Sequence, residues 1–158
     1  MATQARARGA SAGGSGGVGL RILAVLLGVF LIAVGASTIA WVADSSVLLA
    51  RFQQWLPAAA PAARWYLETV CIPGAPLFAR LVPIGALGAG VALVVGFWTR
   101  MAAVATFLMV LSFHVASSAL WAPAFLRDGT GLPVLGGLLA LAIGGSRLPF
   151  SVDRKSRN

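Results

Sequence analysis

Four long stretches without a charged residue constrain the fold of this chain more than any other feature. They contain 22, 19, 26 and 18 residues, and they lie between Arg21 and Asp44, Arg80 and Arg100, Arg100 and Arg127, and Asp128 and Arg147. A helix rises 1.5 Å per residue, so about 20 apolar residues cross the ~30 Å apolar core of a membrane. The pattern therefore predicts four membrane-spanning helices.

The composition agrees with this prediction. Hydrophobic residues make up 59% of the 158 residues and charged residues only 10%, whereas a soluble domain is about 45–50% apolar and about 25% charged. This number of charged residues is too small to cover the surface of a water-soluble protein. Most of the exterior must therefore face lipid. This excludes most classes of soluble enzyme.

We predict an all-α integral membrane protein, a bundle of four transmembrane helices that forms one domain. The predicted spans are residues 18–42, 77–98, 101–120 and 132–146, within a membrane domain of residues 18–150. Residues 1–17 are rich in glycine, alanine and serine and are expected to form a disordered tail, and residues 151–158 a second, basic tail.

The segment between the first two predicted spans is too long for a tight turn. It places Leu48, Phe52 and Trp55 at helical spacing, and Pro57 and Pro61 interrupt that pattern. We expect residues 45–72 to form short amphipathic helices that cap the outer face of the bundle.

The basic residues indicate the orientation of the chain. If the amino terminus is cytoplasmic, eight of the twelve basic residues lie inside, namely Arg6, Arg8, Arg21, Arg100, Arg147, Arg154, Lys155 and Arg157. This excess follows the positive-inside rule and predicts that both termini are cytoplasmic. Attraction to anionic lipids accounts for the net charge of +8, so we expect membrane lipids and no nucleic acid as partners.

Several motifs resemble those of a known family. They are the approach to the second span at residues 65–73, the glycine-rich span that ends G-x-x-T-R at residues 96–100, and a closing pattern at residues 136–153. The chain from Trp65 to Ala103 resembles the DoxX/DoxD-like family of small four-helix membrane proteins, which includes the small subunit of thiosulfate:quinone oxidoreductase.

The resemblance implies a bacterial or archaeal inner-membrane protein that works in quinone-linked redox chemistry with other membrane or peripheral redox subunits. Quinone is the cofactor that it implies, and no covalent cofactor is expected. Family members commonly carry a glutamate after the glycine early in the second span, but here Gly85 is followed by Ala86. A carboxylate at membrane depth is usually functional, so its loss argues against a proton-coupled role for this helix.

His114, the only histidine, is the best candidate for a quinone site. Its ring could bond a quinone carbonyl or accept a proton from a quinol. Pro83 is expected to bend the second span, and the small Gly85 beside it to leave room for a flat ring. The alternative is a neutral histidine bonded to a serine or a backbone carbonyl inside the bundle.

Arg64, Arg80 and Glu68 are candidates for binding a sulfur oxyanion at the outer face, because guanidinium groups suit oxyanions. The alternative is an i,i+4 ion pair between Arg64 and Glu68, with Arg80 extending to lipid headgroups. A single cysteine, Cys71, allows no disulfide or dithiol within the chain, and no metal-ligand cluster is evident.

Three functions remain open at the sequence level. We favour a membrane subunit of a quinone-linked redox assembly that is not catalytic on its own. The second is a quinone-reducing enzyme for thiosulfate or a related sulfur anion. The third is a structural or lipid-interacting membrane protein.

Overall fold

The structure is a computed structural model, and it describes residues 2–121, 125 and 131–145. Within these residues all regular structure is helical. The helices are α1 (Ala2–Ser37), α2 (Ala40–Ala43), α3 (Ser46–Trp55), α4 (Pro61–Tyr66), α5 (Ala75–Val95), α6 (Thr99–Ala116) and α7 (Leu132–Gly144). Leu56–Ala58 and Ala119–Trp121 form 3₁₀ turns, and a π-helical turn, Leu67–Cys71, follows α4.

Four of the helices form a closed ring. α1 contacts α5, α5 contacts α6, α6 contacts α7, and α7 contacts α1. One core cluster fills the ring with leucine, alanine and valine side chains from all four helices, including Leu31, Leu93, Ala103 and Leu138. The predicted helical bundle is therefore present.

Three helices have the length and apolarity of membrane spans: Gly16–Ser37 within α1, Ala75–Val95 and Thr99–Ala116. Their outward sides expose large apolar side chains such as Leu26, Ile84 and Leu108, as a lipid-facing surface requires. This confirms a multi-pass membrane protein. The helix at the fourth predicted span, α7, has 13 residues and is only about 20 Å long, which is less than the ~30 Å apolar core.

Short helices occupy the segment where the sequence predicts a cap. α3 contacts α5 and α4 contacts α6, and their apolar side chains share a second core cluster with α5, which includes Leu48, Phe52, Leu67 and Ala79. The backbone N–H of Ala60 also donates to Ser118 Oγ, at 3.0 Å. These helices, residues 46–71, are therefore packed onto one end of the bundle and are called the cap below.

The structure differs from the sequence prediction at the start of the chain. α1 begins at Ala2, whereas residues 1–17 are predicted to be disordered. The alanines of this segment favour extension of a helix that is already nucleated, whereas its glycines oppose it. The predicted tail at 151–158 and most of residues 121–131, between the third and fourth predicted spans, lie outside the described residues.

The other helix boundaries differ by a few residues. α1 ends at Ser37, and Thr38 Oγ1 bonds the Val34 carbonyl oxygen at 2.9 Å. Gly96 has a φ of 78° and ends α5 in the left-handed region, where glycine is favoured. The turn between α5 and α6 therefore lies at residues 96–98, just before residues 99–100, which separate the second and third predicted spans.

Candidate functional site

His114 lies near the carboxyl end of α6 and is half-buried. Its Nδ1 lies 2.8 Å from the carbonyl oxygen of Val110. A carbonyl oxygen can only accept, so Nδ1 carries the hydrogen. Phe125 meets the imidazole edge to face, with the ring centroids 5.5 Å apart. His114 is therefore bonded to a backbone carbonyl, as the alternative to the quinone site expects. This hydrogen bond holds the ring in one orientation.

Pro83 and Gly85 do not line one pocket with each other. Pro83 is buried, and its carbonyl oxygen would lie 3.0 Å from a Cβ placed on Gly35 of α1. Gly85 is exposed, and a Cβ there would meet nothing within 4 Å. Two residues are about 200° apart around a helix, so the two face different sides of α5. The space expected beside Pro83 is filled by α1.

Ala86 stands where the family commonly has a glutamate, and it is fully buried at 0% exposure. Its neighbour on the same face of α5, Gly90, packs directly against α1. A glutamate here would place a carboxylate in a dry helix contact, which is costly without a partner. In this chain the position serves helix packing.

Arg64 and Glu68 lie together in a groove on the cap. The groove has a volume of about 350 Å³ and is lined by Ala59, Pro61, Arg64, Trp65 and Glu68. Arg80 is exposed on α5 and does not line it. The structure therefore brings two of the three predicted anion-site residues together and leaves the third apart.

The predicted ion pair between Arg64 and Glu68 is not formed. Arg64 Nη2 instead donates to the carbonyl oxygen of Leu56, at 3.2 Å. Glu68 lies in the π-helical turn, which widens the helix and takes the side chain out of the i,i+4 register with Arg64. Opposite charges thus line one groove without neutralising each other.

Cys71 is 3% exposed and packs in an aromatic cluster at the base of the cap. The ring centroids of Phe52 and Phe113 are 6.1 Å apart, and Trp55 meets Phe113 edge to face at 6.5 Å. The adjoining cavity holds about 10 Å³, room for about one water molecule. Burial raises the pKa of the thiol, and a hydrogen bond with Tyr66 acts in the opposite direction.

Two arginines bond helix ends in a way that the sequence analysis does not predict. Arg21 of α1 donates from Nη1 to Leu93 O at 2.9 Å and from Nη2 to Val94 O at 2.6 Å, in the last turn of α5. Arg100 of α6 donates from Nε to Ala142 O of α7 at 2.9 Å. Each guanidinium group donates hydrogen bonds to carbonyl groups near the end of a helix. Its positive charge also interacts favourably with the negative end of the helix dipole. A useful signal is a basic residue at the start of a predicted apolar span, level with the last turn of the antiparallel neighbour.

Three further observations concern polar groups within the described residues. No three histidine, cysteine, aspartate or glutamate side chains lie close enough together to hold a metal ion there. The hydroxyl of Thr106, buried in α6, has no hydrogen-bond partner. At the start of α3, Asp44 Oδ1 accepts from the Ser46 N–H, and hydrogen bonds from Ser46 lower the pKa of this carboxyl.

A family model described as DoxX matches residues 18–118, which is more than half of the chain. The matched residues run from the apolar part of α1 to the end of α6 and include the cap. The closing pattern at residues 136–153 lies beyond them. No curated protein and no solved structure matches the chain.

Proposed function

Because the chain belongs to the DoxX family, whose members are membrane proteins often associated with redox processes, we propose that it is a membrane subunit of a quinone-linked redox assembly. It does not complete a reaction alone. Its partners are other membrane or peripheral redox subunits, and it sits in the inner membrane of a bacterium or archaeon.

One observation carries the quinone part of the proposal. His114 is a half-buried imidazole at the end of a membrane-length apolar helix, fixed in orientation by Val110 and flanked by the ring of Phe125. An oriented polar group beside an aromatic face suits a flat ring that enters from lipid. We therefore propose that a quinone contacts His114 and Phe125, away from Pro83 and Gly85.

The chemistry at His114 follows from its bond to the helix. With the hydrogen on Nδ1, the Nε2 of a neutral ring is an acceptor. A quinol hydroxyl therefore matches the neutral ring, and a quinone carbonyl matches the imidazolium. The quinone itself supplies the electron-carrying chemistry, and the chain orients it.

The groove on the cap argues against the competing enzyme. An enzyme for thiosulfate would bind a dianion, and among the described residues Arg64 is the only cation that lines the groove. The carboxylate of Glu68 shares the groove and repels an anion, which opposes the attraction of Arg64. The geometry therefore favours the subunit over a self-contained thiosulfate-oxidising enzyme.

Purification of the full chain from its native membrane in a mild detergent tests the proposal. We expect bound quinone and a co-purifying redox subunit, and we expect His114→Ala to lose the quinone while Ser112→Ala, on the same helix, keeps it. Quinone reduction driven by thiosulfate without a partner would instead establish the enzyme. If neither quinone nor partner is present, the structural or lipid-interacting function replaces the proposal.

A further inference from the structure

We propose that the groove on the cap binds the zwitterionic headgroup of a membrane phospholipid. The phosphate lies at Arg64, and the ammonium group lies between Glu68 and Trp65. This site is separate from His114 and does not depend on quinone binding.

The arrangement of charge in the groove carries the inference. A guanidinium and a carboxylate line the same groove, yet Arg64 bonds the Leu56 carbonyl rather than Glu68. A simple anion is repelled by Glu68 and a simple cation by Arg64. A ligand with a negative and a positive group satisfies both side chains at once.

Trp65 completes the recognition of the positive group. Its side chain is 64% exposed although it is large and apolar. It lines the groove together with Arg64 and Glu68. An indole face attracts an ammonium group. Indole side chains also favour the headgroup layer of a membrane.

The position of the groove favours a lipid over a small solute in water. The groove-lining residues end at Glu68, shortly before α5 begins at Ala75. The first turns of α5 expose Leu77 and Leu81, so lipid chains surround the bundle there. The start of a spanning helix lies at the boundary between headgroups and apolar core. A volume of about 350 Å³ is at the small end of ligand-binding pockets.

Lipid binding to the full chain in detergent tests this site. The probes are dioctanoyl phosphatidylethanolamine, which carries both charges, and dioctanoyl phosphatidylglycerol, which carries only the phosphate. We expect the protein to prefer the ethanolamine lipid by about fivefold, the effect of one exposed ion pair. Glu68→Gln should abolish that preference, and Arg64→Gln should weaken the binding of both lipids.

Arg51→Gln is the matched control. It removes the same charge from the cap, but Arg51 lies over the ring of Trp41, 5.3 Å from its centroid, and does not line the groove. The preference should persist in this variant. Equal binding of the two lipids by the unmodified protein would overturn the proposal, and so would an unchanged preference in Glu68→Gln. If soluble glycerophosphoethanolamine binds as tightly as the lipid, the proposal that the bound headgroup belongs to a lipid would be overturned.

Discussion

Gly28 of α1 and Gly90 of α5 face each other where the two helix backbones come close together. A Cβ on Gly28 would be 2.7 Å from the Gly90 carbonyl oxygen, and a Cβ on Gly90 would be 2.7 Å from the Gly28 carbonyl oxygen. Apolar side chains gain little by leaving lipid for a helix contact, so helices associate in membranes through close packing of their backbones. This pair of glycines therefore determines how closely the first two spans approach.

Gly90→Ala is expected to lower the free energy of unfolding by about 1–3 kcal/mol, the usual cost of overpacking. The measurement is unfolding of the purified protein in mixed micelles, followed by circular dichroism. Gly88→Ala is the control, because a Cβ there meets nothing within 4 Å. Alanine stabilises a helix interior relative to glycine, so this control should be at least as stable as the original. A Gly90→Ala protein of unchanged stability would contradict the close contact.

Arg21→Met should lower the free energy of unfolding by about 2–3 kcal/mol, because two charge-assisted hydrogen bonds to α5 are lost and the apolar stem is kept. Arg21→Lys keeps the charge but cannot donate to two carbonyls in the same fork, so its stability should be intermediate. If the lysine variant matched the original protein, charge alone would account for the effect and the fork would be unimportant. Unfolding in mixed micelles measures both variants.

The positions of the spans could be predicted from the sequence because lipid imposes a simple rule. The second predicted span, residues 77–98, corresponds to Ala75–Val95, and the third, residues 101–120, corresponds to Thr99–Ala116. A charge is expensive at membrane depth, so uncharged stretches indicate the helices directly. The interrupted helical pattern likewise predicts the short helices between the first two spans, while their place on the outer face stays a prediction.

The contacts between helices could not be predicted in the same way. Gly88 and Gly90 look alike in sequence, yet one faces open space and the other the backbone of α1. Arg21 counts as a cytoplasmic charge in sequence, and only the approach of α5 shows which carbonyls it bonds. The rotation of each helix about its axis, which depends on packing throughout the bundle, decides these roles.

Reporter fusions test the proposed topology, in which α7 and the residues beside it complete a fourth span. A fusion after Asn158 is expected to report the cytoplasm, and a reporter inserted at Ala59 in the cap is expected to report the outer side. Both follow from the excess of basic residues at the predicted inner positions. A carboxyl-terminal fusion that reports the outer side would show that the chain crosses three times.

Cys71 should react slowly with a maleimide in the folded protein, because the thiolate is the reactive form and burial raises its pKa above the ordinary value of 9.0. Phe52→Ala should speed labelling at pH 8 by about tenfold or more, since it opens the aromatic cluster over the thiol.

The raised pKa of Cys71 also means that the folded state favours the protonated thiol. That contribution to stability is complete below the unfolded pKa and is lost as the pH rises through the higher folded pKa. Labelling rates of the original protein and the variant between pH 7 and pH 10 measure the reactivity of the thiol, and unfolding in mixed micelles over the same pH range measures the change in stability. Equal rates for the folded and denatured protein at pH 8 would contradict the burial of Cys71.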